Sequence, residues 1–218
     1  YLEKHPKCKL IILDKHGIFT FGETAKSSYD AMINFVTKAE RFIASNKSQF
    51  VKQIKSFKNN EIFTIENIAP IIRGILKNIK TSDYQNNIIL NFRSNKNILE
   101  YVNGEKLNIY SQKGTVTPDH VIRTKQLTMI IKLKDLSNLQ SFRDYFLIEL
   151  KKYIKKYNSY FDSNNKRLGY NKIKLDSLPR VILVPGLGLI SIGSNNQNAM
   201  IVGDLAETNI NVILDAEK

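Results

Sequence analysis

The chain has 218 residues, enough to bury a core as one large domain or two small ones. It is 42% hydrophobic and 24% charged, the balance of a soluble globular protein, and no apolar run approaches the roughly 20 residues that span a bilayer. Its single cysteine, Cys8, excludes an internal disulfide and a cysteine-based zinc cluster, and a formal charge of +13 raises the question of nucleic acid.

The basic residues are spread along the chain, densest at 151–156 and 164–167, with no RNP-type aromatic motif, zinc-finger spacing or recognition helix beside them. Nucleic acid is therefore not the expected partner, and neither is a membrane. The opening Tyr1-Leu2-Glu3-Lys4-His5 is neither a basic-then-apolar leader nor a start at methionine. A cytoplasmic location and an internal segment of a longer chain are the expectations.

In chain order, Leu10 to Leu13 reads as a buried strand and Ile18 to Phe21 as its partner, joined by the turn Asp14-Lys15-His16-Gly17. Thr24 to Ile43 has the 3.6-residue apolar period of an amphipathic helix, with Thr24 as N-cap. Ser45 to Ser82 is helical but polar, most apolar from Ile62 to Ile79 and broken at Pro70. Asn87 to Phe92 predicts a strand and Asn97 to Val102 a short helix. Thr115 to Lys125 reads as a polar loop leading to a strand over Leu127 to Leu133. Leu139 to Phe161 predicts a long helix whose Phe142, Phe146 and Tyr153 belong to the core, and Asp162 to Tyr170 a polar loop. Val181 to Val184, Leu189 to Ile192 and Asn198 to Glu207 then repeat the opening strand–strand–helix order. Alternating strands and helices make the class α/β, expected as a layered α/β/α segment followed by a second, degenerate unit.

The repeat is gapless. Leu10-Ile11-Ile12-Leu13 falls on Val181-Ile182-Leu183-Val184, Gly17 on Gly188 and Gly22 on Gly193. These four glycines are expected at turns where a Cβ would obstruct the backbone. In this register His16 falls on Leu187, so chemistry carried by His16 is not shared by the second unit.

The stretch from His5 through L-I-I-L-D-K-H16-G-I-F-T-F-G22-E-T to Met32 resembles the C-terminal part of the class II (metal-dependent) aldolase/adducin family. T117-P-D-H-V-I-R-T-K125 and L175-D-S-L-P-R180-V-I-L-V-P-G-L-G-L-I-S-I-G193 resemble the central region of its bifunctional rhamnulose-phosphate aldolase/short-chain alcohol dehydrogenase subgroup. The match is loose over Ser45 to Gly114. The resemblance divides the chain into 1–44, the end of an aldolase-like domain, 45–112, a helical connection with a strand, and 113–218, the degenerate second unit. It makes His16 a ligand of zinc or another divalent metal, whose other ligands, an H-x-H pair, and whose acid/base glutamate are not in this sequence. It implies lyase chemistry of rhamnose metabolism: a ketose 1-phosphate cleaved to dihydroxyacetone phosphate and a hydroxyaldehyde. It also implies a fused oxidoreductase using NAD, whose T-G-x-x-x-G-I-G turn is absent here, and a homo-oligomer. A non-catalytic, adducin-like scaffold is the alternative, and the second unit is expected to be a scaffold or oligomerisation element.

Two further motifs carry weaker chemistry. Asp119, His120, Arg123 and Lys125 are candidates to clamp a phosphate or to orient a metal ligand, though a loop held by its own salt bridges is the preferred reading. Pro185-Gly186-Leu187-Gly188 lacks the third glycine and the following helix of a dinucleotide loop.

Overall fold

The computed structural model describes residues 2–14, 16–46, 61–79 and 87–216. Near the N-terminus β1 (Leu10–Leu13) and β2 (Gly17–Thr20) pair antiparallel, Leu10 opposite Thr20 and Leu13 opposite Gly17. The helix α1 (Ala25–Ser45) follows where Thr24 and Ser27 exchange the reciprocal bonds of a capping box. No described side chain between residues 3 and 46 is buried.

The core lies further on, in a four-stranded sheet of order β3-β6-β5-β4. Its strands are β3 (Ile89–Arg93), β4 (Met129–Ile130), β5 (Val181–Val184) and β6 (Gly188–Gly193). β6 runs antiparallel to both β3 and β5, and β4 lies parallel to β5. The sheet's two faces follow from the alternation of side chains along a strand. Ile182, Val184, Ile190 and Ile192 meet α2 (Ile65–Lys77) and α6 (Leu139–Arg167) in one buried cluster. Val181, Leu183 and Leu189 meet α3 (Lys96–Val102), α4 (Leu107–Tyr110) and α7 (Asn196–Ala216) in the other. The short α5 (Pro118–Thr124) lies against α7. This is the layered α/β/α arrangement, with Phe142, Phe146 and Tyr153 buried in it as expected.

Several elements differ from the sequence expectation, each for a local reason. α2 runs through Pro70 instead of breaking there. A proline inside a helix costs about 3 kcal/mol or more, but Ile68, Ile72, Ile75 and Leu76 are buried along one face. At roughly 1.5–3 kcal/mol per buried aliphatic side chain, that face outweighs the lost bond. Residues 118–124 are helix, not loop, because Thr117 takes the extended conformation of an N-cap and Pro118 sits at the helix start, where its missing N–H costs nothing. α6 continues six residues past Phe161, its end held by Asn165, whose side chain bonds the backbone N–H and C=O of Lys172. The strand expected over 127–133 shortens to Met129–Ile130. β3, within the expected connecting segment 45–112, pairs along its full length with β6 of segment 113–218, so those two stretches share one sheet.

The repeat holds at the level of individual bonds. β1, β2 and α1 fall on β5, β6 and α7 in the gapless register. The Thr20 hydroxyl donates to Ser28 C=O at 2.9 Å, and its counterpart Ser191 donates to Ala199 C=O at 2.8 Å. The N–H of His16 donates to Leu13 C=O and that of Leu187 to Val184 C=O, both at 3.0 Å. Gly17 and Gly188 both take positive φ, +130° and +148°. A Cβ on Gly22 would overlap the Ser28 N–H, and one on Gly193 the Ala199 N–H, so both glycines bring a strand end against a helix start.

Candidate functional site

His16 stands at the tip of the β1–β2 turn, exposed, with its Nδ1 3.1 Å from Asp14 C=O. A carbonyl only accepts, so this contact places the proton on Nδ1 and leaves the Nε2 lone pair facing outward. That is the tautomer a ligating imidazole uses when its other nitrogen is held by a backbone carbonyl. One imidazole does not make a metal site, and no group of three His, Cys, Asp or Glu side chains is placed to hold an ion among the described residues. The residues at hand thus do not fit a complete metal centre. Cys8 is engaged elsewhere, its thiol donating to Leu10 C=O at 2.8 Å.

The second turn makes the same backbone bond with Leu187 in place of His16. The backbone of the hairpin therefore forms without a histidine, and what the imidazole adds to the turn is the Nδ1 contact with Asp14 C=O.

The four residues of segment 117–125 do not share one surface. Asp119 and Arg123 are exposed on α5, and His120 is half-buried, its Nδ1 enclosed without a hydrogen-bond partner. Lys125, only 3% exposed, turns into the interior at φ +60°. Its ammonium donates to Asp176 C=O and, at 2.6 Å, to Leu178 C=O, and lies 4.1 Å from the Tyr157 ring centre. The Asp176 carboxylate lies 3.7 Å from that ammonium and takes both arms of the Arg180 guanidinium. This Lys125–Asp176–Arg180 knot escaped the sequence reading, since a lysine following a short helix gives no sign of a carboxylate 51 residues on.

The layered α/β fold and the duplicated hairpin are consistent with an aldolase-like class of protein. Residues 64–218, more than half of the chain, match the family described as "Aldolase class II, second domain", and the chain belongs to that family. It is also 27% identical over 220 residues, 97% of its length, to a Bacillus subtilis (strain 168) protein named "Uncharacterized oxidoreductase YuxG". The match spans 30% of the length of that relative. No solved structure matches the chain.

Proposed function

We propose that this chain is a segment of a metal-dependent class II aldolase that cleaves a ketose 1-phosphate of the rhamnulose-phosphate type to dihydroxyacetone phosphate and a hydroxyaldehyde, in a protein that also carries a short-chain dehydrogenase. Residues 1–44 close the catalytic domain and His16 supplies one imidazole. The second unit carries no ligand and serves as scaffold. The family membership supports the lyase half, and the relative named as an oxidoreductase, whose length the chain covers only in part, is compatible with the fused half.

The observation that carries the reading is the contrast between the two copies. Ile12 is 71% exposed and its counterpart Leu183 1%; Phe19 is 53% exposed and its counterpart Ile190 buried outright. In the second copy β4 and β3 flank the hairpin on either side. The bare apolar positions of the first copy are those that a fuller catalytic sheet covers in the same manner. A divalent metal in such enzymes polarises the oxygens of the ketose. The role assigned to this chain is narrower: the Nδ1–H···O=C bond to Asp14 holds the imidazole of His16 with Nε2 outward.

Incubating the full-length protein with L-rhamnulose 1-phosphate is expected to release dihydroxyacetone phosphate, and a chelator to abolish the release. A full-length protein that binds partners but yields no triose phosphate from any ketose 1-phosphate, metal-loaded or not, would establish the scaffold reading instead.

A further inference from the structure

A cleft of about 420 Å³ opens where α6 passes the outer edge of β4. It is lined mostly by residues of the second unit, none from the His16 turn, and has no part in the reading above. Along α6 the positions 145, 149, 152 and 156 recur at helical spacing and so share the face that lines it. Three lysines and one carboxylate line the cleft, Lys132, Lys152, Lys156 and Glu149. The local field is therefore positive.

Lys152 and Lys156 have partners within the cleft. Gln112 is fixed by its own amide N–H, which donates to Thr128 C=O at 3.1 Å, and its carbonyl oxygen accepts from the Lys156 ammonium at 3.0 Å. A neutral acceptor orients that ammonium without cancelling its charge. Lys152 is oriented by Glu149 at 2.7 Å, which keeps its ammonium protonated. Burial, with Glu149 nearby, pushes the pKa of the Tyr145 phenol up, so it stays a neutral donor. The floor adds a further donor and acceptor. Met129 and Ile131 turn their peptide groups to β5 in the parallel pairing, so those of Ile130 face outward at the sheet edge.

We propose that this cleft binds the phosphate end of a small phosphorylated metabolite, its charge met by Lys132, Lys152 and Lys156 and its hydroxyls by Glu149 and the outward peptide of Ile130. Three ammonium groups and a phenol donor lining one cleft suit the several oxygens of a phosphate monoester. The volume suits a small molecule. A carboxylate in the wall disfavours a continuous polyanion. Tyr153 is buried, its hydroxyl donating to Leu127 C=O at 3.1 Å, and offers no face for a stacked base.

The test is lysine footprinting of the full-length protein by an amine-reactive label and mass spectrometry at fixed ionic strength, with glycerol 3-phosphate as probe and glycerol as its uncharged control. Saturable protection of Lys132, Lys152 and Lys156 by the ester alone is expected, sparing the exposed Lys151 and Lys155 on the same helix. In Lys156→Gln the concentration for half-protection of the remaining two should rise about tenfold, a loss of about 1.4 kcal/mol. No protection, or equal protection of all surface lysines, overturns the proposal. So does stronger, steeply salt-dependent protection by a single-stranded oligonucleotide, which would make the face a nucleic-acid surface.

Discussion

Lys125 is the residue whose surroundings matter most to the folded state. Its charge is buried and held by two carbonyls, a tyrosine ring and a carboxylate that is itself fully buried. Removing one member of such a group leaves the others charged and unpaired, at a cost of about 3–5 kcal/mol. Asp176→Ala is accordingly expected to lower the unfolding free energy by about that amount in urea titrations. A loss below about 1 kcal/mol would mean that water reaches the site and the knot is a surface pair. The position of the ammonium also accounts for the limited reach of the sequence at this scale. Arg123 and Lys125 look like neighbours in T-P-D-H-V-I-R-T-K, but one is exposed and the other buried. The backbone turn at Lys125 that separates them has no glycine to announce it.

At the scale of elements, the strand–turn–strand–helix unit was readable because its constraints are local. Gly17, Gly22, Gly188 and Gly193 stand where backbone meets backbone or takes positive φ, and such positions leave a mark in the chain. Gly193→Ala drives a Cβ into the start of α7, where no flexible side chain can yield. Overpacking of this kind costs about 1–3 kcal/mol, and an unfolding midpoint equal to that of the unsubstituted protein would show that strand and helix do not approach so closely. Element ends were less readable. The apolar period of α6 stops near Phe161, but a helix ends where its last carbonyls and the following turn find partners, and Asn165 provides these beyond the apolar stretch. β4 is short for the opposite reason: apolar residues continue to Leu133, but pairing with β5 is confined to Met129 and Ile130.

For the whole molecule, the two copies of one unit meet different surroundings. The second is the centre of a three-layer core, and the first carries its apolar positions bare. His16 is singled out by a family motif, and Leu187 in its place shows that the turn's backbone bond forms without an imidazole. No group of three His, Cys, Asp or Glu side chains that could hold an ion is found among the described residues. The most direct test of this account is the metal content of the full-length protein carrying His16→Ala, measured by inductively coupled plasma mass spectrometry against the unsubstituted protein and a Leu187→Ala control. Loss of bound divalent metal from His16→Ala alone, with the Leu187→Ala control fully loaded, is the predicted result. Unchanged metal stoichiometry in His16→Ala would contradict the assignment of His16 as a ligand.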